Sequence, residues 1–170
     1  MIMSSKLCNF FVSNGIAPSK EFIEYLKKDN IPGVMELHSL DGKKYNVSYK
    51  DGTLIAVNID DECNFYRIPA DKSDVCNFID LFNSTDYIVE QAFKTFNTII
   101  EKRLTEGQIK FLAEDIPDGI RVPVLLATSL IALDYAVKYR NSKSMLEKFA
   151  SVVSLNVSKS CIDLVKQLEK

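Results

Sequence analysis

This 170-residue chain has a single histidine, His38, and no tryptophan. Any mechanism that moves a proton through imidazole must therefore use His38. No serine stands in the G-x-S-x-G setting that would give it a nucleophile. The same scarcity excludes a histidine-based metal centre, because zinc sites poor in histidine draw on clustered cysteines. Cys8, Cys63, Cys76 and Cys161 are scattered, with no C-x-x-C pair, which removes zinc-knuckle and thioredoxin-like chemistry. The six glycines stand apart from one another. Neither G-x-G-x-x-G nor G-x-x-x-x-G-K-[ST] occurs, so dinucleotide and P-loop phosphate cradles are excluded. No cofactor and no metal are expected.

Arginine is also sparse. Arg67, Arg103, Arg121 and Arg140 supply every guanidinium, and the pI is near 5.5. Arginine makes the bidentate contacts that phosphates and base edges require, so nucleic acid is not an expected partner. Long apolar runs are lacking too. The most apolar stretch, residues 122–137, contains Thr128, Ser129 and Asp134 and is shorter than the roughly 20 residues of a bilayer span. It reads as a buried core helix, and no membrane is expected. The N-terminus lacks a basic segment followed by an apolar one. With four unpatterned thiols, this makes a reducing cytoplasm the expected location.

The clearest signal present is a pair of turn dipeptides, Asp41-Gly42 and Asp51-Gly52. Each lies between short runs of β-branched and aromatic residues. Such a dipeptide favours a two-residue type I′ hairpin turn, because Asp and Gly tolerate positive φ. Strands are predicted over residues 34–40, 44–50 and 53–59, with a fourth over 64–68 stopped by Pro69. In the second strand Tyr45, Val47 and Tyr49 alternate with Lys44, Asn46, Ser48 and Lys50, so one face is buried and one is wet. In the third strand Ile55, Val57 and Ile59 are read as sharing one face.

Helical spacing surrounds this meander. A short helix over residues 5–13 stops at Asn14-Gly15. A second opens after Pro18-Ser19 and is broken at residues 29–33. From Asp71 onward the period is helical throughout. Helices are predicted over residues 73–82, across the stripe from Ile88 to Ile100, over 105–114 behind a Thr105/Gln108 capping box, and over 122–139 with Pro123 in its first turn. Two more are predicted over 142–155 and 158–169. Turns are read at residues 83–86 and 116–119. The predicted fold is α+β: an N-terminal helix pair, a three- to four-stranded antiparallel meander, then a bundle of five or six helices. Residues 1–170 are read as one domain, with a seam near 69–71 between a sheet part (1–70) and a helical part (71–170).

Charge is unevenly placed. Residues 71–137 carry six basic and eleven acidic side chains, net −5, whereas residues 138–170 carry seven and three, net +4. Acidic surfaces steer basic partners. The sequence reading therefore favours a non-enzymatic protein-binding module of inhibitor, immunity, chaperone or accessory-subunit type. Its contacts to a basic protein would come from Asp71, Asp74, Asp80, Asp86, Glu101, Glu106, Glu114, Asp115 and Asp118. Two other readings stand beside it. One is a small carboxylate-dependent enzyme drawing on Asp134, Asp115, Asp118 or His38. The other is an oligomeric structural subunit of a larger assembly, buried through its helical half, with a homo-oligomer as one form. Asp134, alone on an apolar helix, needs a salt bridge to Arg121, Arg140 or a nearby lysine, or simple exposure on the one wet strip of that helix, and without a partner it would have a raised pKa.

Overall fold

The computed structural model describes residues 6–28, 33–82 and 87–169. Helix α1 (Lys6–Asn14) ends where expected. Gly15 takes φ +63, a left-handed conformation that closes a helix and suits glycine. The Gly15 carbonyl accepts a 2.9 Å hydrogen bond from the Leu40 N–H, which ties the end of α1 to the sheet. The next two residues form a strand that sequence reading missed, β1 (Ile16–Ala17). Two residues are too few to show an alternation. Helix α2 (Lys20–Lys27) follows, with the Ser19 hydroxyl accepting from the Phe22 N–H at 3.1 Å. Most of the expected break after it, residues 29–32, lies outside the described residues.

The meander is β2 (Met35–Ser39), β3 (Lys44–Lys50), β4 (Thr53–Asn58) and β5 (Phe65–Pro69). With β1 it makes a five-stranded antiparallel sheet in chain order, one strand more than the upper expectation. The two hairpins differ. Asp51 and Gly52 both have positive φ, +52 and +76, and Lys50 pairs with Thr53, as a two-residue type I′ turn requires. At the first hairpin only Gly42 is left-handed, at φ +83. There the Gly42 N–H bonds to the Ser39 carbonyl at 3.1 Å, and Ser39 and Lys43 flank a three-residue loop. The Asp41 carboxylate explains the difference. It accepts from the Ser39 hydroxyl and the Lys43 N–H, which holds Asp41 in an Asx-type turn.

The register set by the second hairpin corrects the reading of β4. A two-residue turn places Tyr49 opposite Leu54, Val47 opposite Ala56 and Tyr45 opposite Asn58. Side chains directly across a ladder share a face, so Leu54 and Ala56 line the core. Ile55 and Val57 face outward and are half-buried, and Ile59 is exposed.

The helical part comprises α3 (Lys72–Asp80), α4 (Tyr87–Lys102), α5 (Glu106–Glu114), α6 (Arg121–Tyr139) and α7 (Met145–Leu168). The predicted turn at residues 83–86 lies outside the described residues. Helix α6 is long and apolar enough to meet a bilayer-span test by composition, yet most of it is buried by protein, chiefly against α7 and α4. The two helices expected at the C-terminus are one. Ser158 does not cap a new helix. Its hydroxyl is buried and donates across to the Ser129 carbonyl at 2.7 Å. Ser151 does the same to the Ala136 carbonyl at 2.6 Å. With Ser154 they form a small-residue seam that packs against α6. One core joins sheet and helices. Phe11, fully buried, lies 5.8 Å from the Phe22 ring and 5.4 Å from the Phe78 ring, linking α1, α2 and α3.

Candidate functional site

Eight of the nine acidic residues singled out by charge are described, and they are spread over α3, α4, α5 and the turn before α6. Asp71 and Asp74 form a reciprocal capping box at the start of α3, with bonds of 2.8 and 3.1 Å to each other's N–H groups. Their carboxylates neutralise the positive end of that helix. Asp80 closes α3 and lines a cleft described below. Asp86 lies outside the described residues. Glu101 is exposed near the end of α4. Glu106 lies in the first turn of α5 and lines a groove against α7. Glu114 and Asp115 end α5, and Asp115 lines a small hollow of about 210 Å³ between α4 and the α5–α6 turn. Asp118 pairs with Arg121 at 2.8 Å.

His38 projects from the wet face of β2, with its side chain 60% exposed and Nε2 3.7 Å from Glu36. Lys44 approaches the same carboxylate at 3.8 Å. This is an exposed polar cluster that spans β2 and β3. Among the described residues no group of three His, Cys, Asp or Glu side chains is placed to hold a metal ion. Cys8 and Cys161 are fully buried, and burial pushes both thiols up to about 12. Both stay protonated, and the Cys8 thiol donates to the Leu126 carbonyl at 3.8 Å.

Asp134 is where chemistry and environment disagree. The two arginines that could have paired with it are engaged elsewhere. Arg121 holds Asp118 and donates to the carbonyls of Ala113, Glu114 and Ile116. Arg140 donates to the Ser39 carbonyl at 2.9 Å, bracing the first hairpin from the far end of α6. The Asp134 side chain is exposed on the open side of α6, and it has no hydrogen bond or ion pair among the described residues. Burial beside apolar neighbours raises its pKa above the ordinary carboxylate value, and Lys138 one turn on pulls it back in part. Asp134 lines a cleft of about 630 Å³ between α2, the end of α3, α4 and α6. Its α6 wall is Ala127, Leu130, Ile131 and Asp134, spaced i, i+3, i+4 and i+7 on one helical face.

An exposed apolar stripe on α7 was not legible in the sequence. On the first turns of α7, Met145 is 80% exposed, Leu146 81%, Phe149 64% and Val152 61%. Met145, Phe149 and Val152 recur at i, i+4 and i+7, so they form a stripe along the helix. Hydrophobic periodicity alone would turn that stripe inward. The structure turns in Ser151, Ser154 and Ser158 instead, because small residues let α7 approach Ser129 and Ala136 of α6 closely. Beside the stripe runs a groove of about 530 Å³, with Phe149, Val153 and Val157 on one wall and Leu104 and Ile109 on the other. Arg103, Lys159, Glu106 and Asp163 also line it. Lys143 and Lys148 are exposed next to the stripe.

Comparison with protein-family models, with curated proteins and with solved structures gives no match.

Proposed function

We propose that this chain is a non-enzymatic protein-binding module that receives an amphipathic helix of its partner on the first three turns of α7. The observation that carries this reading is the exposed stripe of Met145, Phe149 and Val152 beside an apolar-walled groove. Large apolar side chains at i, i+4 and i+7 match helix-in-groove recognition, in which the partner's apolar face supplies the reciprocal anchors. Contiguous exposed apolar surface costs solubility unless something covers it. The groove's own charges balance, Arg103 and Lys159 against Glu106 and Asp163, and the basic excess of the C-terminal segment favours a partner helix with acidic flanks. Lys143 and Lys148 stand beside the stripe, and residues 138–170 carry net +4. This moves the proposed contact from the acidic centre of the chain to its basic end.

Site-specific photocrosslinking tests the reading. A benzophenone side chain at position 149 or 152 should capture one protein partner from native lysate, through a helical segment with acidic flanks. The same probe at Asp74 or Glu101 should capture little. Capture from 74 or 101 but not from 149 would place the contact on the acidic surface. Capture of a second copy of the chain would make α7 a self-association face and favour the structural-subunit reading.

A further inference from the structure

The cleft that contains Asp134 is independent of the α7 surface and has its own chemistry. Its volume, about 630 Å³, falls inside the roughly 300–1,000 Å³ range of small-ligand sites. Its floor is apolar and well packed: Ile23, Leu81, Val89, Ala127 and Leu130 are each at most 5% exposed. Phe93 stands half-exposed at the rim. Five charged side chains line the cleft. Glu24 and Lys27 of α2 pair with each other at 3.1 Å. That leaves Lys20 of α2, Asp80 of α3 and Asp134 of α6, none of which has an ion-pair partner among the described residues. Lys138 lies one turn beyond on α6 and acts on Asp134 only at a distance.

An apolar-floored cavity lined by two unpaired carboxylates and one unpaired lysine, beside an internal Glu24–Lys27 pair, carries a net negative charge that favours a cationic ligand. Apolar body and positive charge must occur in the same small molecule. An anion would meet two carboxylates against one free lysine. A neutral apolar molecule would leave Asp134 unpaired in a drier site than before, which raises the cost of its charge. An ammonium group replaces the lost hydration with a charge-assisted hydrogen bond.

We propose that this cleft binds a small amphipathic cation, with an apolar or aromatic body seated on Val89, Leu130 and Phe93 and an ammonium nitrogen paired with Asp134. Asp80 adds negative potential at the same cleft, and the Glu24–Lys27 pair keeps Lys27 from opposing it.

Three probes of one shape test this: 2-(1-naphthyl)ethylamine, 2-(1-naphthyl)ethanol and 1-naphthaleneacetate. Each is titrated into the full chain and followed by methyl NMR. The amine should shift the Ile23, Val89, Leu130 and Ile131 methyls and leave Ile109 and Val157 unmoved. It should bind about tenfold tighter than the alcohol, the carboxylate being weakest. Asp134→Asn should lower amine affinity by about the same factor and leave the alcohol unchanged. Phe93→Ala, at the rim and outside the packed core, should weaken all three alike. Equal affinities for amine and carboxylate, an amine affinity untouched by Asp134→Asn, shifts that map outside the cleft, or no shift from any probe would each overturn the proposal.

Discussion

At the scale of single residues, polar groups that are satisfied differ measurably from those that are not. The Ser151 hydroxyl donates to the Ala136 carbonyl, while the neighbouring Ser154 hydroxyl is buried with no hydrogen-bond partner. A satisfied buried hydrogen bond contributes about 1 kcal/mol net, and an unsatisfied buried group costs about 1–3 kcal/mol. Ser151→Ala should therefore destabilise the fold by about 1 kcal/mol, while Ser154→Ala should be neutral or stabilising. Urea unfolding of the two variants checks the contrast, and equal losses would contradict it. Asp134 gives a pH-dependent counterpart. Its folded pKa lies above the unfolded value, so the fold pays for the ionised form. That penalty is fully present above the folded pKa and is relieved as pH falls through it. Asp134→Asn should raise the unfolding midpoint at pH 7.5, and its advantage should shrink as pH is lowered to about 4. A constant advantage across that range would contradict the account. Asp134 was legible as a residue needing either a partner or exposure on the wet strip of its helix, and the structure exposes it. That both candidate arginines are spent elsewhere was not, because Arg140 bonds to Ser39, 101 positions away.

At the scale of elements, local signals were legible and long-range ones were not. The Ser19 cap, the Thr105/Gln108 capping box, the Gly15 stop and the Asp51-Gly52 turn each act within a few residues, and each stands where the sequence placed it. The inward face of β4 was also written in the sequence, since a two-residue turn dictates that Leu54 faces Tyr49. Counting the apolar residues of the strand alone hid it. The continuity of α7 was hidden for another reason. Its buried side is a serine seam whose hydroxyls find partners only on α6, so the pattern imitates a cap. Glycine positions give a direct check. Gly15 has φ +63, and a Cβ there would lie 3.0 Å from the Leu40 side chain. Gly15→Ala should cost about 1–2 kcal/mol from backbone conformation alone, with the Leu40 contact adding to it. Gly107 is helical in α5 with open space around it, so Gly107→Ala should gain about 0.5–1 kcal/mol. Thermal unfolding of both variants decides. A tolerated Gly15→Ala would mean that α1 does not turn into β1 as described.

At the scale of the whole molecule, one core runs from α1 through the sheet to α7, yet two surfaces are left that this core does not explain. One is the charged-rim, apolar-floored cleft between α2, α4 and α6. The other is the outer face of α7, which changes character along its length. Its first half presents Met145, Phe149 and Val152, and its second half presents Asn156, Lys159, Asp163 and Lys166 to solvent. A helix needed only for packing would have no reason to place its largest apolar side chains away from the core. Composition showed the acidic centre and basic end of the chain, but it could not show that the acidic side chains cap, pair and line separate hollows. The most direct measurement is capture from native lysate by the full chain and by its Phe149→Glu variant, with circular dichroism to show that both are folded. The account predicts that the native chain retains a specific protein, that Phe149→Glu loses it at least about tenfold, and that the two spectra match. Equal retention of the same proteins by both chains would contradict the claim that α7 is the binding face.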